Sequence, residues 1–196
     1  MRQKEEVVSR TLSYLASLPM FAEARETSLW SLACECTFKQ VEKGDVLFLQ
    51  NDAPDLAYIV RNGKISLVLN SLDGREMVIN EMQAGDLFGE LGILTRKSHS
   101  TSAIARTKAE VVVIPRRALR KIIESEHQVA IRLLEIMAGR LQRSGERESA
   151  LAFLDAQARL ARLLLELEKE EEDKGYVTIS QDELAQRKDH RAPRPT

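Results

Sequence analysis

The chain has 196 residues, of which 43% are hydrophobic and 30% are charged, and its formal net charge is −1. These values are ordinary for a globular protein and exclude a global basic field that would attract nucleic acid. No apolar run reaches the roughly 18 residues that cross a membrane, and no secretory apolar core follows the charged start Met1–Glu6. We therefore expect a cytoplasmic protein without a membrane partner.

The first part of the chain, residues 5–38, predicts helices. Apolar residues recur there at helical spacing, and Pro19 interrupts the pattern. The two cysteines of the chain, Cys34 and Cys36, lie near the predicted helix end. Two thiols are too few for an iron–sulfur cluster within one chain, but a Cys-x-Cys pair could form a redox switch. Buried, unreactive cysteines are the plainer interpretation.

Residues 38–114 predict a series of short strands that glycines separate. Asn62-Gly63 predicts a hairpin turn, and Asp73-Gly74 predicts the next turn. Many short strands at regular spacing indicate a sandwich or a barrel. The predicted strands are Val46–Leu49, Ala57–Val60, Ile65–Leu69, Glu76–Asn80, Ala103–Ala105 and Glu110–Ile114.

The segment Gly85–Leu94 interrupts these strands and carries the strongest functional signal. A strand ends at Gln83-Ala84, and after the turn Gly85-Asp86 a short helix is predicted to begin at Gly89-Glu90-Leu91. Helix N-termini have unpaired N–H donors and a partial positive charge that suit an anion, and glycine lets a ligand approach the backbone. Glu90 would accept a hydrogen bond from a sugar hydroxyl beside that anion, so the segment indicates a nucleotide.

Residues 115–154 predict a helix that pairs with another helix. Pro115 suits a helix start. Positions then recur at alternating steps of four and three, the pattern of a heptad seam, which predicts self-association. The seam consists of Ala130, Leu134, Met137, Leu141, Ser144, Glu148 and Leu151.

Residues 156–196 predict a second, incomplete domain. A helix, a charged loop and a short strand lead to Ser180-Gln181-Asp182-Glu183, which is a helix-capping box. Pro193 and Pro195 then prevent a helix interior in the last residues. Hence no helix suited to the major groove of DNA is predicted there.

The motif Phe88-Gly89-Glu90-Leu91-Gly92-Ile93 resembles the phosphate-binding cassette of cyclic-nucleotide-binding domains, as in the Crp/Fnr family of bacterial transcription regulators. The resemblance covers about residues 10–187. It implies an α+β fold with a double-stranded β-roll, a long helix for a parallel homodimer, and a winged helix-turn-helix that is incomplete here. The implied domains are residues 1–125, 126–154 and 155–196, with a hinge at Leu151–Asp155.

The resemblance also implies a ligand site, for which cyclic AMP or cyclic GMP is the candidate effector. Gly89, Glu90 and Leu91 would supply backbone donors to the cyclic phosphate, and Glu90 would bind the ribose 2′-hydroxyl. Ser100 matches a phosphate-contacting serine, whereas His99 stands where the family has an arginine. The lost charge-assisted contact would weaken binding by about 1.5–3 kcal/mol.

The family reads the base with two hydroxyl residues of the long helix. Ser144 keeps one of these hydroxyls, and Gly145 lacks the other. Ser144 is therefore a candidate ligand-binding residue, and a contact across the dimer is not expected from Gly145.

The implied function is a transcription regulator, in which an effector bound in the β-roll controls DNA binding by a homodimer in a full-length form. The alternative is an effector-binding and dimerisation module without sequence-specific DNA readout. A third hypothesis is a redox or haem-type sensor that uses a cysteine or a histidine. No metal site is predicted, and the scattered His99, His127 and His190, with no catalytic motif, argue against an enzyme.

Overall fold

The computed structural model describes residues 2–71 and 76–153, together with residues 158, 161, 164 and 165. It divides into two units, residues 1–135 and 136–196, which are described separately. The predicted turn at Asp73-Gly74, the end of the predicted hinge and the predicted helix-turn-helix lie outside the described residues. The division into domains at residues 125 and 154 stays a prediction.

Two helices precede the strands. Helix α1 spans Arg2–Ala16 and helix α2 spans Glu26–Ala33, with a 3-10 turn at Pro19–Phe21 between them. Pro19 interrupts the helical pattern as predicted, because its ring removes a backbone donor. The helices and the turn bury apolar residues within the first unit, where Leu15 and Phe21 are almost fully inaccessible to solvent.

Within the described residues, eight strands form two four-stranded sheets. The first sheet has the order β1-β8-β3-β6 and the second has the order β2-β7-β4-β5. Every pairing is antiparallel. This is the β-roll that the family resemblance implied. The strands are β1 (Thr37–Val41), β2 (Val46–Phe48), β3 (Leu56–Asn62), β4 (Ile65–Asn70), β5 (Glu76–Met82), β6 (Leu87–Phe88), β7 (Ser102–Ala105) and β8 (Ala109–Pro115).

The end of α2 differs from the prediction of helices up to residue 38. The helix ends at Ala33, and Thr37 and Phe38 belong to β1. The reason is a long-range ladder, since Thr37 pairs with Val113 and Phe38 with Val112 of β8. A local pattern cannot contain a partner so distant in sequence, and tertiary pairing therefore overrides the helical spacing.

The predicted hairpin at Asn62-Gly63 is also wrong. The chain does turn there, with Gly63 at φ +81°, but β3 and β4 belong to different sheets. A Cβ atom on Gly63 would lie 2.5 Å from the carbonyl oxygen of Lys108. The turn thus packs against the loop before β8 and carries the chain from one sheet to the other.

The hydrophobic core lies between the two sheets. Val60 and Val111 come from the first sheet, Ile65 and Ala103 come from the second, and all four are fully buried. Burial of each large apolar side chain stabilises the fold by about 1.5–3 kcal/mol. The buried core residues are Val41, Phe48, Tyr58, Val60, Ile65, Met82, Phe88, Ala103, Ala105, Ala109 and Val111.

Between the β-roll and residue 153, two helices occur where the sequence predicted helix throughout residues 115–154. Helix α4 spans Arg116–Ser125 and helix α5 spans His127–Phe153. The break falls at Glu126, whose backbone is extended (φ −126°, ψ 94°). Of the seam residues on α5, Leu134 is 68% exposed and Leu141 is 75% exposed. None of the helices within the described residues is long and apolar enough to cross a bilayer.

Polar contacts fix α1 on the β-roll. The Tyr14 hydroxyl donates a 2.7 Å hydrogen bond to the carbonyl oxygen of Val60. The buried carboxylate of Glu110 accepts from two guanidinium groups, those of Arg10 on α1 and Arg61 on β3. The N-terminal helix is therefore bound to the sheet that also carries the first strand of the candidate site, β6.

Candidate functional site

The predicted nucleotide segment forms a strand, a glycine turn and a short helix. After β6, Gly89 has a left-handed conformation (φ 78°, ψ −6°), and helix α3 spans Glu90–Thr95. A residue with a side chain rarely adopts this φ, and glycine adopts it at no steric cost. Strand β6, which the sequence did not indicate, pairs with β3 through Tyr58 and Phe88. The turn is thereby held at the β6 edge of the first sheet.

Close backbone approaches explain the glycines of this segment. A Cβ atom on Gly89 would lie 3.1 Å from the carbonyl oxygen of Leu56 and 3.4 Å from Cε1 of Phe48. A Cβ atom on Gly92 would lie 2.6 Å from Cβ of Pro54 and 2.8 Å from the carbonyl oxygen of Lys97. Both glycines therefore let α3 sit against the β2–β3 loop.

Glu90 is the first residue of α3 and is only 2% exposed, whereas its neighbour Leu91 is 49% exposed. A buried carboxylate is costly unless it has polar partners, so its position indicates a role beyond surface solvation. Glu90 thus lies beside the glycine turn, where the sequence predicted an acceptor for a sugar hydroxyl.

His99 is buried in the loop between α3 and β7, with 5% exposure. Its imidazole stacks on the ring of Phe48, with ring centroids 3.8 Å apart and planes 13° apart. Burial lowers the pKa of His99 below its ordinary value, and the nearby carboxylates of Asp52 and Asp55 oppose that shift. The lowered pKa favours the neutral form of the ring.

The remaining predicted residues differ in exposure. Ser100 is exposed at the end of the same loop, and Ser144 is exposed on α5 in the second unit. The buried serine is Ser102, whose hydroxyl accepts hydrogen bonds from the Gln50 amide (2.9 Å) and from Nδ2 of Asn70 (3.2 Å). Sequence reasoning missed Phe48, which lies against both His99 and the Gly89 position, because these contacts depend on the tertiary fold.

The cysteines show why a thiol sensor is a weaker hypothesis. Burial, with a smaller contribution from Glu35, raises the pKa of the Cys36 thiol to about 12. A thiol with such a pKa is almost entirely protonated at neutral pH, and the thiolate is the reactive form. Within the described part of the chain, no group of three or more His, Cys, Asp or Glu side chains is arranged to hold a metal ion.

Residues 38–126, which contain the β-roll and this site, match the cyclic nucleotide-binding domain family. The CRP-like cAMP-activated global transcriptional regulator of Mycobacterium tuberculosis is 29% identical over 153 residues, which are 78% of this chain and 68% of that protein. The cAMP-activated global transcriptional regulator CRP of Salmonella typhimurium is 28% identical over 163 residues, which are 80% of this chain and 77% of that protein.

The chain carries a cyclic nucleotide-binding domain and is homologous to the Crp/Fnr regulators. The family resemblance stated from the cassette motif is thereby confirmed. The relatives are transcription regulators and not enzymes, in agreement with the lack of a catalytic motif in the sequence.

Solved structures show the same fold. The c-di-GMP responsive global regulator CLP of Xanthomonas campestris has a TM-score of 0.68 and 22% identity, covering 83% of this chain and 84% of its own. FixK2 of Bradyrhizobium japonicum has a TM-score of 0.67 and 24% identity, and the match covers 78% of this chain and 76% of FixK2. The regulatory domain of Toxoplasma gondii PKA with cAMP has a TM-score of 0.61 and 20% identity, but the match spans only 51% of that chain and 69% of this one.

Proposed function

We propose that this Crp/Fnr homologue is a cytoplasmic transcription regulator that binds a cyclic nucleotide in its β-roll. The observation that carries the proposal is the buried Glu90 directly after the left-handed Gly89, within the segment that matches the cyclic nucleotide-binding domain. Cyclic AMP is the first candidate effector because the two curated relatives described above are named cAMP-activated. Cyclic GMP is the second.

Each residue of the proposed site has a separate role. The backbone amides of Gly89, Glu90 and Leu91 would donate to the cyclic phosphate, and the Glu90 carboxylate would accept from the ribose 2′-hydroxyl. His99 and Ser100, in the loop after α3, would complete the phosphate contacts. Ser144 would contact the base from α5.

The signal from the β-roll would reach a second copy of the chain through α5. Leu134 and Leu141 occupy seam positions and are 68% and 75% exposed. Covering such exposed leucines with another apolar surface stabilises the association of two helices. A parallel homodimer along this seam would place two β-rolls side by side. Movement of one helix relative to the other would then transmit the state of the site.

The proposed domain organisation assigns the effector to residues 1–125, the dimer helix and hinge to residues 126–154 and the DNA contact to residues 155–196. DNA binding would require a complete winged helix-turn-helix in a full-length form. The alternative function, an effector-binding dimer without sequence-specific DNA readout, shares every step except the last. Binding of a labelled promoter library, with and without effector, distinguishes the two functions.

Isothermal titration calorimetry with cyclic AMP and cyclic GMP tests effector binding directly. We expect saturable binding by the wild-type chain and binding about 10- to 100-fold weaker in Glu90→Gln, since a charge-assisted hydrogen bond contributes about 1.5–3 kcal/mol. Glu124→Gln is the matched control, because Glu124 is an exposed carboxylate on α4 that pairs with Arg120. Absence of heat with either nucleotide at millimolar concentration would contradict the proposed effector class.

A further inference from the structure

The ring of Phe48 lies next to both the buried imidazole of His99 and the backbone of the glycine turn. His99 stacks on Phe48 at 3.8 Å between centroids, and Cε1 of the same Phe48 ring lies 3.4 Å from the Cβ position of Gly89. The other histidine in the described residues, His127, is exposed. Of the two described histidines, His99 is therefore the one that shares a contact, the Phe48 ring, with the glycine turn of the proposed phosphate site.

Two backbone hydrogen bonds hold His99 in this place. The Asn51 amide donates to the His99 carbonyl oxygen at 2.8 Å, and the His99 amide donates to the Asp52 carbonyl oxygen at 3.0 Å. Asn51 has a left-handed backbone (φ 74°), a conformation that asparagine tolerates better than most residues. Withdrawal of the imidazole from the Phe48 ring by a movement of this loop would break both bonds.

We propose that His99 makes ligand binding proton-linked: the β-roll binds the phosphate of its nucleotide with the His99 imidazole protonated, and the unliganded site holds that imidazole neutral. This inference rests on the proposed function. It makes His99 a specificity-determining residue, because a neutral ring offers a single ordinary donor, whereas a charged ring offers an electrostatic contact to an anion.

Carboxylates on the β2–β3 loop favour the proton. Asp52 and Asp55 both act on His99 from this loop, and each stabilises the charged imidazole. Arg116 at the start of α4 partly offsets Asp55, at 3.7 Å between Nη1 and Oδ1. The face of the Phe48 ring also attracts a cation that stacks on it. These groups therefore stabilise the protonated imidazole of His99 once a bound anion compensates the cost of burying its charge.

The other charged groups around the loop belong to α3 and to the loop itself. Arg96 and Lys97 are exposed, so solvent screens their repulsion of a charged imidazole. Glu90 is the buried carboxylate of α3, and Asp52 and Asp55 are the carboxylates that act on His99. Binding of a nucleotide would add the negative charge of its phosphate to these groups.

The direction of the pH dependence follows from linkage. Burial lowers the pKa of His99 in the unliganded protein, and a bound phosphate raises that pKa. Affinity is therefore constant above the raised pKa, increases as the pH falls between the two values, and becomes constant again below the lowered one. Within that window the affinity changes by up to about ten-fold per pH unit.

The test is calorimetric titration of cyclic AMP between about pH 5.5 and 8, the range in which histidine titrates. For the wild-type chain we expect affinity to increase toward acidic pH, with net proton uptake measured from buffers of different ionisation enthalpy. His99→Gln should bind weakly and without pH dependence, and His99→Arg should bind without pH dependence and more tightly than the wild type at the upper end. Asp52→Asn, which removes a neighbouring carboxylate, should keep the slope.

The outcomes separate this inference from the proposed function. Tight wild-type binding with no pH dependence and no proton uptake would overturn the role of His99 and leave nucleotide binding intact. A slope retained in His99→Gln would also overturn it, since another group would then titrate. If the wild type fails to bind at every pH while His99→Arg binds, His99 is not the phosphate ligand. If neither binds, the inference and the proposed effector fall together.

Discussion

The carboxylate of Glu126 accepts a 2.5 Å hydrogen bond from the hydroxyl of Ser28, which lies in the first turn of α2. Nε of Arg25, the residue before α2, donates to the same Glu126 oxygen at 2.7 Å. Glu126 is the single residue between α4 and α5. One side chain thus joins the N-terminal helices to the point where the helix proposed to carry the dimer begins.

Glu126→Gln should lower the melting temperature at neutral pH. The Ser28 hydroxyl, followed by Arg25, holds the pKa of Glu126 below its ordinary value, so the folded state favours the ionised carboxylate. This contribution to stability is present above the ordinary pKa of glutamate and is lost as the pH falls through the lowered pKa.

Thermal melts of the wild type, Glu126→Gln and the control Glu124→Gln at several pH values measure the effect. The difference between the wild type and Glu126→Gln should shrink at acidic pH. A difference that stays the same at every pH would show that the ionised carboxylate is not the stabilising group.

Gly92→Ala should destabilise the β-roll by about 1–3 kcal/mol, because the added methyl group would overlap Pro54 and the Lys97 carbonyl. Urea denaturation gives the value. Gly145→Ala is the matched control: nothing lies within 4 Å of a Cβ atom there, and alanine favours a helix by about 1 kcal/mol relative to glycine. Equal midpoints for Gly92→Ala and the wild type would mean that α3 and the Pro54 loop are less closely packed than described.

The two cysteines should differ in reactivity toward Ellman's reagent. Cys34 is partly exposed, and Cys36 is buried with a pKa raised to about 12. We expect one fast-reacting thiol in the native protein and two in guanidinium chloride. Cys34→Ser should remove the fast reaction. Rapid modification of both thiols in the native state would contradict the burial of Cys36 and support the redox-switch hypothesis.

Leu134→Glu combined with Leu141→Glu should convert a dimer into a monomer, since each substitution places a charge at the proposed seam. Light scattering after size-exclusion chromatography measures the mass. Leu69→Glu is the control, because Leu69 is 39% exposed but lies on β4. A wild-type chain that is monomeric at high concentration would contradict the seam.

Local sequence patterns predicted the helices and strands of this fold better than they predicted which strands pair with each other. The apolar run Ile65–Leu69 and the glycine at position 89 are local signals, and the structure has a strand and a left-handed turn there. The Asn62-Gly63 turn was correct as a turn and wrong as a hairpin, because residues near the loop before β8 decide which sheet receives β4.

The site shows the same limit. Gly89 and Glu90 could be predicted as site residues from the sequence, because one short segment contains both. The stacking of His99 on Phe48 could not be predicted in this way, because these two residues come into contact only when β2 pairs with β7. The burial that lowers the pKa of His99 depends on this tertiary contact and cannot be predicted from the sequence.

The placement of β1 beside β8 has a consequence for biosynthesis. Thr37–Val41 has its partner in Ala109–Pro115, the last strand of the roll to be translated. A nascent chain therefore exposes the unpaired edge of β1 until Pro115 has left the ribosome exit tunnel. Because pairings so distant in sequence form slowly, the unfinished roll is exposed to aggregation for longer than a helical domain of equal length would be.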